Sequence, residues 1–124
     1  MRIALAQLNS NDDLASNLKT VESFIKKAAS ENASIVFFPE NTLFFRISIS
    51  DSVVSVCVDG PELKKLAEIC RTTKVAAHLT TAVKEGDSVY NASVFIDTQG
   101  SIRKVYDKIH LFDIELIGQA PIRE

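Results

Sequence analysis

The chain has 124 residues, of which 46% are hydrophobic and 24% are charged, and this composition is typical of one globular domain rather than of a disordered chain. Its formal net charge of -2, without a block of lysine or arginine, gives no electrostatic basis for binding nucleic acid. The apolar run at the N-terminus is interrupted by Gln7 and is too short for a signal peptide or a membrane span. We therefore expect a cytoplasmic protein without membrane attachment.

The first third of the sequence has the pattern of a strand-helix-strand unit. Residues 3–8 are mostly apolar and end at turn-forming residues, as in a buried strand. From a cap at Asp12 or Asp13, apolar residues recur at helical spacing as far as residues 31–32. Residues 34–38 form a second apolar run. Two parallel strands joined by a right-handed helical crossover are expected.

The rest of the sequence predicts a mixed sheet. Residues 42–59 show no clear period, which indicates a loop with at most a short element. Gly60-Pro61 begins a second helix that runs to Lys74, because the fixed φ of proline suits the first helical turn. Three further strands at 75–83, 89–97 and 102–106 are joined by a hairpin loop at 84–87 and a turn at Gln99-Gly100. The sheet would begin parallel and continue as an antiparallel meander.

The number of helices falls short of what this sheet needs. The first two strands are apolar at nearly every position, so both of their faces should be covered. Two helices cover about one face, and residues 107–124 contain no element that would close a second layer. The chain is expected to be part of a larger fold, or to bind another chain through its uncovered face.

Two charged residues follow strands and are candidates for chemistry. Glu40 comes directly after a parallel strand, at the sheet edge where ligands bind in open α/β folds, and a carboxylate partly removed from water there suits a general base. Lys108 follows the last strand, and a lysine near a reacting carbonyl stabilises the charge that develops on its oxygen. On position alone, a solvent-facing loop acid and an exposed lysine at a strand end remain the alternatives.

The two cysteines and one histidine are expected to be structural. Cys57 and Cys70 are too few for a disulfide framework and lack the spacing of a zinc site. No basic residue lies near Cys57 in sequence to favour its thiolate, and Cys70 falls on the apolar face of the second helix. His110, flanked by apolar residues, is expected to pack rather than to transfer protons.

Five segments, taken in order, resemble the carbon-nitrogen hydrolase (nitrilase) superfamily. The Phe-Pro-Glu strand end at Glu40, followed at a distance by Lys-Ile-His-Leu-Phe from Lys108, is the specific part of the resemblance. The tail from residue 112 to residue 121 is similar to the branch that contains omega-amidase and deaminated-glutathione amidase. The other three segments are residues 3–8, Gly60-Pro61, and residues 90–97 with Gly100.

This resemblance implies an α/β fold, an α-β-β-α sandwich of which residues 1–124 would be the incomplete N-terminal half. It also implies a Glu-Lys-Cys triad with a second glutamate beside it. Glu40 matches the general base, Lys108 matches the lysine that stabilises the tetrahedral intermediate, and Glu124 matches the second glutamate, which orients the lysine and substrate. No metal or cofactor is implied.

The nucleophile of the family has no counterpart in this sequence. It follows the lysine motif, whereas Cys57 and Cys70 both precede Lys108. The resemblance therefore implies an amidase that hydrolyses a small ω-amide of a carboxylic acid through a cysteine thioester, with this chain inactive alone. The implied partners are the amide substrate and either a complementing C-terminal half or a homo-oligomer. The alternative is a truncated, non-catalytic interaction module.

Overall fold

A computed structural model describes residues 1–48 and 51–112, which form one five-stranded sheet in the order β1-β2-β3-β4-β5 and two helices. The first three strands are parallel neighbours, and β3, β4 and β5 are antiparallel neighbours. The predicted mixed sheet is therefore confirmed. The elements are β1 (Ile3–Leu5), α1 (Leu14–Ser30), β2 (Ile35–Phe37), α2 (Pro61–Thr73), β3 (Ala76–Glu85), β4 (Ser88–Ile96) and β5 (Ile102–Asp107).

Helix α1 forms because a good N-cap precedes an apolar stripe. The side chain of Asp13 accepts a hydrogen bond from the backbone N–H of Ser16 at 3.1 Å, which satisfies one of the unpaired donors of the first turn. Val21 and Ile25, four residues apart, are fully buried. The helix ends at Ser30 with Glu31 as its C-cap, close to the predicted end.

Helix α2 covers the same face of the sheet as α1. Gly60 is its N-cap and Pro61 opens it, as predicted, while Lys74 ends it with a left-handed φ of 59°. Leu63 and Leu66 are fully buried, and both belong to the core that the two helices share with the sheet. Within residues 1–48 and 51–112, no helix is long and apolar enough to cross a membrane.

The opposite face of the sheet is uncovered among the residues described. Leu5 is 82% exposed and Ile3 is 49% exposed on this face. Phe37 and His78 contact each other there, with ring centroids 5.4 Å apart, and partial burial lowers the pKa of His78. Within residues 1–48 and 51–112 the first strands are thus buried on the helix side alone, because the two helices cover one face and none of these residues forms a layer against the other.

Some element ends differ from the predicted ones. β1 stops at Leu5 although the apolar run continues to residue 8. The β3-β4 hairpin is tighter than the predicted loop at 84–87, because pairing continues to Glu85 and Ser88. Gly86 takes a φ of 58°, which glycine adopts without a steric penalty, so two residues complete the turn.

A matched pair of leucine substitutions tests which side of the sheet holds the core. Leu66→Ala should lower the free energy of unfolding by about 2–5 kcal/mol, because it leaves a cavity in a packed interior. Leu5→Ala, the same change at an exposed position, should alter it by less than about 0.5 kcal/mol. Urea unfolding followed by circular dichroism measures both. A greater loss for Leu5→Ala than for Leu66→Ala would contradict this core assignment.

Candidate active site

Glu40 is held at the carboxyl end of β2 by a backbone that continues alongside β3. The N–H groups of Phe38 and Thr42 donate to β3 carbonyls at 2.8 and 2.9 Å. Between them the chain turns at Asn41, whose φ of 55° is a left-handed conformation that asparagine tolerates. Glu40 therefore lies in a turn that is fixed on both sides by the sheet.

The segment after Glu40 is also anchored by α1. The side-chain amide of Asn17, which is 5% exposed, donates to the carbonyls of Leu43 at 3.0 Å and Asn11 at 2.7 Å. Thr42 and Leu43 are themselves fully buried. Because a buried polar side chain is well satisfied only when its partners stay in place, this contact favours a single position for the loop that carries Glu40.

Two side chains from the antiparallel part of the sheet converge on the Glu40 carboxylate. The ammonium Nζ of Lys108 and the amide Nδ2 of Asn91 each donate to Glu40 Oε1 at 2.8 Å. The backbone N–H of Lys108 donates to the carbonyl of Asn91, also at 2.8 Å, so the two donors are tied to each other. We call these three residues the Glu40 cluster. The structure thus brings together the two charged residues that the sequence singled out, 68 positions apart.

A β-bulge places Lys108 on the same face as Asn91. Lys104 and Tyr106 pair with adjacent residues of β4, so Val105 is an extra residue in β5. Because side chains alternate between faces along a strand, one extra residue exchanges the faces of everything that follows it. Without the bulge, the side chain of Lys108 would lie on the helix-covered face, away from Asn91.

A cavity of about 600 Å³ opens beside the Glu40 cluster. Its polar lining includes all three members of the cluster together with Arg46, and most of its remaining walls are apolar or aromatic. A cavity of this size with a few convergent polar groups is typical of a small-molecule site. The side chains of Glu40 and Lys108 are 48% and 31% exposed, so the removal from water expected for Glu40 is not achieved by the residues described.

The exposure of this ion pair also limits its structural value. A partly exposed pair such as Lys108 with Glu40 contributes at most about 1 kcal/mol to folding. The Glu40 cluster therefore contributes little to the free energy of unfolding. It is better suited to hold a base and a cation beside a bound molecule, since charge-assisted hydrogen bonds fix both groups at short range.

The cysteines lie outside the Glu40 cluster. Cys70 is fully buried on α2, and burial raises the pKa of its thiol to about 12. Cys57 is exposed and does not line the cavity. Neither cysteine lines the cavity beside Glu40 and Lys108.

The remaining candidates have different outcomes. His110 is exposed, so the prediction that it packs is wrong for this structure, because its apolar neighbours Ile109 and Leu111 are exposed as well. Glu124 lies outside the described residues, and its predicted role stays a prediction. Among the residues that the structure covers, no group of three His, Cys, Asp or Glu side chains is placed to bind a metal ion.

Asn91 is the site residue that the sequence analysis missed. In the sequence it lies within residues 90–97, one of the segments that carry the family resemblance, and nothing there marks it as a contact of Glu40. The feature that could have identified Asn91 is its amide side chain on the cavity side of β4. Which side of β4 faces the cavity is known only once the strand pairing is known.

The family model for carbon-nitrogen hydrolases matches residues 2–123. The chain therefore belongs to the carbon-nitrogen hydrolase (nitrilase) superfamily, which confirms the predicted family. The probable hydrolase nit2 of Schizosaccharomyces pombe is 32% identical over 98% of this chain and 46% of that protein. The deaminated glutathione amidase of Rattus norvegicus is 27% identical over 98% of this chain and 39% of that enzyme. The chain thus spans less than half the length of these relatives.

Solved structures show the same fold. The crystal structure of the Caenorhabditis elegans NitFhit protein matches with a TM-score of 0.77 and 25% identity, over 98% of this chain and 31% of that one. An amidase from Nesterenkonia in complex with butyramide matches with a TM-score of 0.71 and 22% identity, over 90% of this chain and 44% of that one. The predicted α/β fold, with two helices on a mixed sheet, is confirmed.

The two thiols should differ sharply in reactivity. At about pH 8, iodoacetamide should modify Cys57 and leave Cys70 unmodified in the folded protein, because the buried thiol stays protonated and inaccessible. Unfolding in guanidinium should expose both thiols to the reagent. Peptide mass spectrometry measures each adduct. Modification of Cys70 at the rate of Cys57 before unfolding would contradict its buried position.

Proposed function

We propose that this chain supplies the general base and the lysine of an amidase-type carbon-nitrogen hydrolase. Its substrate class would be a small ω-amide of a carboxylic acid, cleaved through a cysteine thioester. The nucleophilic cysteine would come from outside residues 1–124, since no cysteine follows Lys108 in the sequence. The observation that carries the proposal is the convergence of Lys108 and Asn91 on one oxygen of Glu40 at the edge of a cavity.

The hydrogen bonds of Glu40 leave one oxygen for proton transfer. Lys108 and Asn91 both donate to Oε1, so Oε2 is the atom that would accept a proton from the thiol. The thiolate would then attack the amide carbon. As the C–S bond forms and the C–N bond breaks, the proton would pass from Glu40 to the departing nitrogen, which leaves as ammonia. In the second half of the cycle Glu40 would take a proton from water, which attacks the thioester and releases the acid and the thiol.

Lys108 would act on the carbonyl oxygen. Both addition steps place negative charge on that oxygen, and a fixed ammonium group stabilises it. Lys108 suits this role because it lines the cavity and its backbone N–H donates a hydrogen bond to the carbonyl of Asn91. We propose Glu124 as the second glutamate of the site on the match to the family pattern alone.

Two observations support the substrate class. The cavity of about 600 Å³ suits a small molecule, and Arg46 gives its wall a second cation, in keeping with a substrate that carries a carboxylate. The relatives named above include a deaminated glutathione amidase and an amidase solved with butyramide. We extend amide hydrolysis to this chain as part of the proposal.

The uncovered face of the sheet indicates where a partner of this chain would bind. Ile3 and Leu5 are exposed on it, and an apolar face of this kind is stabilised by a covering layer. A complementing C-terminal half is the proposed cover, and a homo-oligomer of the completed fold is the further expectation. The same face also favours the second candidate, a non-catalytic interaction module, which predicts binding without any hydrolysis.

Substitutions in the Glu40 cluster separate these candidates. The chain would be purified together with a C-terminal segment of a carbon-nitrogen hydrolase that contains the family cysteine. In that complex, Glu40→Gln should reduce ammonia release from ω-amides by about 100- to 10,000-fold, because the general base is lost. Lys108→Met should reduce it by about 100- to 1,000-fold through loss of charge stabilisation.

Glu62→Gln and Lys64→Met are matched controls on α2, outside the cavity, where Glu62 is partly buried and Lys64 is exposed. Both should retain the rate of the unsubstituted complex. A near-normal rate in Glu40→Gln or Lys108→Met would remove the assigned role. A complex that forms but releases no ammonia from any ω-amide would favour the interaction module.

A further inference from the structure

A second group of charged residues lies on the other face of β5 from Lys108. Lys104 Nζ donates to Glu85 Oε2 at 2.7 Å and to Asp107 Oδ2 at 3.0 Å, and it lies 4.3 Å from the ring centroid of Tyr90. We call these four residues the Lys104 cluster. It joins β3, β4 and β5, and the Lys104 side chain is partly buried, with 17% of it exposed.

The contact between Lys104 and Asp107 depends on the bulge. Residues three apart in a regular strand lie on opposite faces and cannot form an ion pair across the sheet. Here the extra residue, Val105, brings both side chains to the helix-covered face. The ion pair therefore exists only in the bulged register and stabilises it relative to the regular one.

The Lys104 cluster and the Glu40 cluster are neighbours in sequence. Asp107 directly precedes Lys108, and Tyr90 directly precedes Asn91. Consecutive residues of a strand face opposite sides of the sheet. A contact that holds Asp107 and Tyr90 on the helix-covered face therefore also holds Lys108 and Asn91 on the opposite face. Lys104 contacts both Asp107 and Tyr90.

We propose that Lys104 is a positioning residue, which keeps the β5 bulge in register through Glu85, Tyr90 and Asp107 and thereby holds Lys108 and Asn91 toward Glu40. Its effect on hydrolysis rests on the proposed function, whereas its effect on the strand register does not. A merely stabilising surface pair would affect the whole fold evenly. A positioning residue instead affects the chain beyond the bulge.

Hydrogen exchange measured by NMR separates these two effects. The amide of Lys108, which donates to Asn91, reports on the chain beyond the bulge, and the amide of Ala76, which donates to Ser34, reports on the sheet far from it. Lys104→Met should accelerate exchange at Lys108 by about tenfold or more and change Ala76 by less than about threefold, because opening is local. Lys104→Arg keeps the charge and should restore protection at Lys108.

Lys84→Met is the matched control, since it removes an exposed lysine next to Glu85 that is outside the Lys104 cluster. It should leave both amides unchanged. Unchanged exchange at Lys108 in Lys104→Met, or equal acceleration at Lys108 and Ala76, would overturn the proposal.

Activity of the completed complex gives the second readout. Lys104→Met should lower kcat by about tenfold or more and change KM by less than kcat, because the charge on the reacting oxygen loses its partner while most of the cavity lining, Tyr90 apart, lies outside the Lys104 cluster. Lys104→Arg should recover most of kcat. If Glu40→Gln keeps full activity, the proposed function fails, and the exchange result still decides the role of Lys104. If exchange at Lys108 is unchanged while Glu40→Gln is inactive, the positioning role alone is wrong.

Discussion

The Glu40 carboxylate accepts two hydrogen bonds on one oxygen, and the alternation of side chains along β4 and β5 determines whether both donors reach it. The parallel half of the sheet fixes Glu40 at a strand end. The antiparallel half brings Asn91 and Lys108 to the same edge. One extra residue, Val105, then places the lysine on the cavity side. The site is thus a product of strand register as much as of residue identity.

The periodicity of the sequence was sufficient to predict the helices and strands, but it was insufficient to predict how the strands align with each other. The stripe around Val21 and Ile25 predicted α1, and Gly60-Pro61 predicted the start of α2, because both signals are local. Glu40 and Lys108 were also predicted, both from their positions after strands and both from the family resemblance. The bulge was not, since it depends on how β4 and β5 align and leaves no local mark. Asn91 was missed for the same reason.

The solvent exposure of Glu40 follows from an incomplete set of layers. Both helices pack on one face, which leaves Leu5 and its neighbours exposed on the other. The sequence already indicated that a layer is needed on the second face, because the first two strands are apolar on both faces and two helices cover about one. The exposure of Glu40 could not be predicted by the same reasoning, since it depends on the residues that would lie across the cavity and not on the strand that carries it. That the chain spans less than half of the two curated relatives described agrees with this pattern.

The β5 bulge makes this part of the chain sensitive to length in an all-or-none manner. An exposed surface loop commonly absorbs an inserted or deleted residue by adjusting its path. Between Lys104 and Lys108, however, a change of one residue would reverse the side from which the lysine emerges, whereas a change of two would preserve it. Insertions or deletions of an odd number of residues should therefore move Lys108 to the other face of the sheet, whereas even numbers should keep it beside the cavity. The lengths that this short segment tolerates should differ in steps of two.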